Sequence, residues 1–222
     1  MKENQPKKAK LFNPKLFPMD LARVIFSPLP LVFRVRRLTP DGKKYKGKIR
    51  GGAIVAANHN AFSDSMVLFV AFWYRRLFFM VADVVMKTKL RAALIRGIGG
   101  IEIVREIADL QAIKKAVGVL KEGHLLAIFP QGRIMKQGEV DNVKHGTVLM
   151  ALQAGVPIYP TYIYPRKHFF SRYTVVIGDP IYPNELCKRK IPSTADIERI
   201  SEVLRQEMNR CNLSLKNTEE KV

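Results

Sequence analysis

The chain has 222 residues, 47% of them hydrophobic and 26% charged, so a buried core is feasible and global disorder is excluded. Lys and Arg outnumber Asp and Glu 38 to 19, a formal net charge of +19 that calls for a polyanionic partner: nucleic acid, an anionic membrane face or a phosphorylated small molecule. Two cysteines outside any CxxC pair and four histidines exclude a disulfide framework, point to a reducing setting and argue against a structural metal.

Residues 1–50 carry fourteen Lys and Arg against Glu3, Asp20 and Asp41, so +11 of the +19 lies in under a quarter of the chain. Pro28 and Pro30 break the apolar stretch 21–38 and forbid one continuous helix. Two short amphipathic helices are expected instead, at 19–27 and 31–37. Basic and apolar side chains mixed in this way suit an interfacial membrane anchor, and equally a helix pair packed on the main domain with solvated charges. The expected organisation is a membrane-association segment over 1–50 and an α/β domain over 51–222. The longest apolar run, 66–74, ends at Arg75-Arg76, well short of the ~18–20 residues that span a bilayer. The N-terminus lacks the apolar core and cleavage site of a signal peptide.

From residue 51 short apolar strands alternate with helices. Strands are expected at 53–58, 77–81, 101–105, 124–129, 157–164 and 173–177. Helices are expected at 64–74, 85–95, 108–121, 147–154 and 195–210, with residues 215–222 frayed. This alternation predicts an α/β fold, a layered and largely parallel or mixed sheet with helices on both faces, preceded by the short amphipathic helical segment.

The peptide Asn58-His59-Asn60-Ala61-Phe62-Ser63-Asp64 lies where a strand gives way to a helix. Five helical positions rotate by about 140°, so His59 and Asp64 meet only if the intervening turn folds back over the helix start. Asp64 would then accept the Nδ1–H of His59 and stabilise the imidazolium, leaving Nε2 to take a proton from a substrate hydroxyl. On spacing alone this is weak, since a helix-start Asp beside an incidental His has the same signature. Three further peptides follow: Gly99-Gly100-Ile101-Glu102-Ile103-Val104-Arg105, Phe129-Pro130-Gln131-Gly132-Arg133 and Gly155-Val156-Pro157-Ile158-Tyr159-Pro160. Ligands of open α/β sheets bind at the carboxyl ends of the strands, which is where His59, Arg105 and Arg133 are expected.

These four peptides, in this order, resemble the motifs of the glycerophospholipid acyltransferases, over about residues 51–181. The resemblance is nearest to the bacterial 1-acyl-glycerol-3-phosphate acyltransferases. It implies that His59 is the general base and Asp64 its orienting partner. It implies that Arg105 binds the acceptor's phosphate, that Gln131, Gly132 and Arg133 form a substrate-binding loop, and that Pro157 lies near the acyl pocket. Gln131 stands where the family usually has Glu, Arg133 where it has Thr and Ile134 where it has Arg, which puts the identity of the acceptor in question. The implied activity moves an acyl chain from acyl-CoA or acyl carrier protein to the hydroxyl of a lysophospholipid, with no cofactor and no metal. The oxyanion would be held by backbone amides near a loop such as Gly132. An anionic membrane surface on its cytoplasmic face would be the partner, with the protein peripheral or monotopic. The competing readings are an acyltransferase for another lipid, a non-enzymatic lipid binder, and a nucleic-acid binder. The last is supported by charge but by no recognised module or aromatic platform, so no nucleic acid is expected. Lys144, ahead of a helix, fits either an anion-binding residue or a solvated helix start. Ser63 and Ser65 lack a nucleophile elbow. His124 reads as a core histidine.

Overall fold

The computed structural model describes residues 13–104, 109–135, 138, 140–166, 168, 171–187 and 192–219. Its strands β1 (Val35–Leu38), β2 (Ala53–Ala57), β3 (Leu77–Ala82), β4 (Gly100–Ile103), β5 (Leu125–Ile128), β6 (Ile158–Tyr164) and β7 (Tyr173–Ile177) form one sheet in the order β1-β7-β6-β2-β5-β3-β4. Every neighbouring pair is parallel except β6 and β7. The helices are α1 (Phe17–Ile25), α2 (Leu29–Val32), α3 (Asp64–Ala71), α4 (Lys89–Gly97), α5 (Leu110–Lys121), α6 (His145–Ala154), α7 (Pro183–Leu186) and α8 (Thr194–Glu219).

Central strand β2 is buried along its whole length, which is why it reads as an unbroken apolar run. Successive side chains still alternate between two cores. Ala53, Val55 and Ala57 pack with Val67, Leu68 and Ala71 of α3. Ile54 and Ala56 pack on the opposite face with Ala116 of α5, Ala151 of α6 and Leu204 of α8. The expected layered, mixed sheet with helices on both faces is what the chain builds.

Two sequence expectations change. Residues 31–37 are not one helix: α2 stops at Val32 and β1 follows, paired in parallel with β7 in the register Val35↔Tyr173. Side chains of the two strands and of their neighbours support the pairing. Arg36 Nε donates to Thr174 Oγ1 at 2.6 Å, and the Arg37 guanidinium lies over the rings of Tyr45 and Tyr74. The sheet therefore begins inside the expected N-terminal segment, ahead of the boundary at residue 51. The helix expected at 85–95 is a single 3-10 turn, Asp83–Met86, followed by α4, whose N-cap Thr88 accepts from Arg91 N.

α1 is held to the body by Met19, Asp20 and Arg23, whose guanidinium donates to Trp73 O and lies over the Trp73 ring. Met19 is its one buried residue. Gly99, at φ +95°, holds a backbone conformation that favours glycine, and the flexible end of Met19 lies over it, 2.7 Å from where a Cβ would stand. Asp20 accepts from Arg76 Nη2 at 2.7 Å. Arg75, beside it, donates to the carbonyls of Ile49 (2.6 Å), Gly51 (2.9 Å) and Gly123, stitching the approach to β2 to the approach to β5.

Candidate active site

β2 delivers the site. After Ala57 the ladder with β6 would end, but Asn58 continues it with its side chain. Its Nδ2 donates to Ile163 O at 3.1 Å and its Oδ1 accepts from Ile163 N at 2.6 Å. The main chain is thereby free to turn at His59. Asp64, first residue of α3, folds that turn back: its Oδ2 accepts from Asn60 N (2.6 Å) and Ala61 N (2.8 Å) and lies 3.2 Å from His59 Nδ1. The structure brings His59 and Asp64 together by the geometry that their spacing required. Both are largely buried, with side-chain exposures of 13% and 5%. A carboxylate in this position fixes the proton on Nδ1 and leaves Nε2 as the ring nitrogen that Asp64 does not engage.

Phe129 supports the ring from below. Parallel β2 and β5 pair Ala56 with Ile128, so His59 and Phe129 project to the same face of the sheet. Their rings stack with centroids 4.0 Å apart and an interplanar angle of 11°. Met135 N donates to His59 O at 2.8 Å and ties the following loop to the same residue.

The loop after β5 turns at Gly132, which has φ +71° and donates its amide to Phe129 O at 3.0 Å. That amide is engaged, so Gly132's own N–H is not among the loop amides expected to meet an oxyanion. What Gly132 provides is space: a Cβ there would lie 2.8 Å from Lys144 Cε and Nζ, so the Lys144 side chain rests across the glycine. Gln131 and Arg133 point to the surface. Gln131 Nε2 donates to Asp141 Oδ1 at 3.2 Å, and Arg133 lies 3.8 Å from the same carboxylate. The hydrogen bond from Gln131, then backbone amides of Asp141 and Asn142 and last the charge of Arg133, hold the Asp141 carboxyl below its ordinary range. Pro157 does not reach the site. It precedes β6, and its carbonyl accepts from Ile54 N near the start of β2, at the edge of the sheet opposite His59. Arg105 lies outside the described residues, although Val104 before it lines the cavity described next.

His59 opens onto a cavity of about 830 Å³ along the carboxyl ends of β2, β5, β3 and β4. Its walls are mostly apolar, with Phe62 from the turn before α3, Met66 and Phe69 from α3, Phe79 to Ala82 from β3, Ile113 from α5 and Met150 from α6. Lys144 is the only Lys or Arg among the described residues lining it. The sequence left the role of Lys144 open, and no motif flagged Asn58 or the stack on Phe129. The parity of Ala53, Val55 and Ala57 against Leu125 and Ala127 is the signal that could have found the latter. Among the described residues no three His, Cys, Asp or Glu side chains group as metal ligands.

A family model described as Acyltransferase matches residues 35–164, more than half of the chain. The chain belongs to the glycerophospholipid acyltransferases. It is an O-acyltransferase, as its histidine at the lip of an apolar cavity suits. This acyltransferase is 25% identical over 160 residues to the 1-acyl-sn-glycerol-3-phosphate acyltransferase of Bacillus subtilis (strain 168), covering 70% of this chain and 78% of that one. Over 58 residues it is 36% identical to the 1-acyl-sn-glycerol-3-phosphate acyltransferase of Borreliella burgdorferi, covering 26% of this chain and 23% of the relative. The crystal structure of the 1-acyl-sn-glycerophosphate (LPA) acyltransferase PlsC from Thermotoga maritima matches with a TM-score of 0.58 at 19% identity. The match covers 91% of this chain and 84% of that one, and establishes the shared fold.

Proposed function

We propose that this acyltransferase moves an acyl chain from a thioester, acyl-CoA or acyl carrier protein, to the free hydroxyl of 1-acyl-glycerol-3-phosphate, giving phosphatidic acid. The observation that carries the reading is the His59–Asp64 pair, 3.2 Å apart, at the lip of the apolar cavity. The hydroxyl oxygen attacks the thioester carbon while His59 Nε2 takes its proton, and Asp64 stabilises the imidazolium that results. The tetrahedral intermediate then expels the thiolate, which recovers the proton. Lys144, lying across Gly132, is the cation available to the acceptor's phosphate. Arg105 is the further phosphate ligand that the resemblance implies.

Substrate and product are amphiphiles, and the surface is suited to meet them. Phe17, Leu21, Val24 and Ile25 of α1, Leu31 and Val32 of α2, and Leu90 and Leu94 of α4 are exposed. Lys89 and Arg91, both exposed, lie among them in the sequence. No helix among the described residues is long and apolar enough to cross a membrane. An apolar surface edged with cations, on a chain of net charge +19, supports interfacial docking on an anionic cytoplasmic leaflet.

The test is acyl transfer by purified protein to lysophosphatidic acid, with acyl-CoA and acyl carrier protein offered separately, beside His59→Ala. Product from the wild type and a roughly 10²–10⁴-fold loss in the variant are expected. Equal rates in both would remove His59 from the mechanism. No product with either donor would overturn the acceptor assignment and direct the search to another lysolipid.

A further inference from the structure

The rings of His59 and Phe129 meet face to face, with centroids 4.0 Å apart and planes 11° from parallel. Two neutral aromatic rings gain more from an edge-on or widely offset arrangement, because each face carries the negative lobe of the ring quadrupole. A cation over such a face is attracted, out to about 6 Å from the centroid. The stack is therefore better matched to imidazolium than to imidazole. Water screens it little, since the His59 side chain is only 13% exposed. The phenyl ring is held independently of its partner. It packs with the core under α3, and the Phe129 carbonyl accepts from Gly132 N at 3.0 Å. Asp64 meets the imidazole at an edge, through Nδ1, so carboxylate and phenyl face approach it from different directions.

We propose that Phe129 is a positioning residue for acyl transfer, acting through His59: its ring face stabilises the positive charge that the imidazole acquires. This rests on the reading of His59 as the base and adds a second stabiliser beside Asp64. The hydroxyl proton passes to Nε2 as the new C–O bond forms, and it returns to the thiolate released as the C–S bond breaks. Between those events the ring is a cation, with Asp64 at its edge and Phe129 at its face. An attraction present then and absent in the resting enzyme lowers the barrier without tightening the binding of the substrates. The stack also holds the plane of a ring that borders the cavity. An aliphatic side chain at position 129 would fill the space and pack on the core, but would present no negative face to the imidazolium.

The test changes the charge of the face while keeping its shape. Phe129 is replaced, by nonsense suppression, with 4-fluoro-, 3,5-difluoro- and 3,4,5-trifluorophenylalanine, each fluorine withdrawing electron density from the ring. Acyl transfer from acyl-CoA to lysophosphatidic acid is followed in a single turnover with enzyme in excess, so that product release does not enter the rate. The rate is expected to fall stepwise with the number of fluorines, by about threefold to tenfold at three. The same series at Phe79, a cavity residue outside the stack, should leave it unchanged. Phe129→Leu should lose about 3–30-fold and Phe129→Tyr, which keeps the ring, most of that loss should be spared. Should Phe129→Leu fail to fold, as judged by thermal melting, the fluorinated series decides. A flat series at position 129, or equal losses at 79 and 129, would overturn the proposal. A flat series beside an inactive His59→Ala would leave the base reading standing. An unchanged rate in His59→Ala, or no transfer by the wild type, would overturn the underlying reading and the proposal with it.

Discussion

Asp64→Asn removes one charge and keeps the shape of the side chain. Asp64 Oδ2 has three partners: the amides of Asn60 and Ala61, and His59 Nδ1. An asparagine with its oxygen in that place still accepts both amides, so the turn survives. Asp64→Ala leaves both amides without an acceptor, at about 1–3 kcal/mol each. What asparagine cannot supply is the anion opposite the imidazolium. Unit charges about 4 Å apart attract by about 4 kcal/mol at an effective dielectric near 20. Loss of that attraction as the imidazolium forms corresponds to a rate loss of roughly 10³-fold. Mis-setting of the tautomer extends the expected range to roughly 10²–10⁴. The assay is kcat for thiol release with saturating donor and acceptor, beside urea unfolding of each variant. Asp64→Asn is expected to lose kcat while keeping stability within about 1 kcal/mol of wild type, and Asp64→Ala to lose both. Retention of more than a third of wild-type kcat by a folded Asp64→Asn would refute the electrostatic role.

Asn58→Ala orphans both main-chain groups of Ile163 and should lower unfolding free energy by about 2–4 kcal/mol, with turnover falling because His59 follows directly. A loss under about 1 kcal/mol would show that water or main-chain pairing replaces the clamp. His124 is buried, and desolvation, then the charges of Arg76 and Arg75, push its imidazole from 6.5 down to about 4. The unfolded chain binds a proton there that the native state refuses. Stability should thus fall as pH drops from about 6.5 toward about 4, by up to about 3 kcal/mol, and this slope should vanish in His124→Phe. An identical pH slope in the variant would remove His124 as its cause. Replacing Leu21, Val24 and Ile25 together by Asp should reduce co-sedimentation with phosphatidylglycerol vesicles at least tenfold while sparing turnover of a short-chain, water-soluble acceptor. Unchanged co-sedimentation would exclude α1 as the docking element.

The alternation of strand and helix, the break between α1 and α2 at Pro28, and the helix start at Asp64 are local chemistry, and the amino-acid order alone determined them; Pro30 falls inside the first turn of α2, where proline is tolerated. The meeting of His59 with Asp64 was only permitted by their spacing; the turn that Asp64 Oδ2 closes by accepting from Asn60 N and Ala61 N brings it about. Which residues share an edge is set by pairings between distant segments. Residues 35–38 became a strand because β7, from the far end of the chain, presents Tyr173 to Ile177 to them. Pro157 went to the opposite edge because β6 runs parallel to β2, and a motif's order along the chain does not say which end of its strand it occupies. Gln131 and Arg133 lie beside the exposed Asp141, while Lys144, itself exposed, crosses a glycine that carries no Cβ and borders the cavity. The residues that could do chemistry were legible one peptide at a time; the cavity they share exists only where the sheet brings four strand ends together.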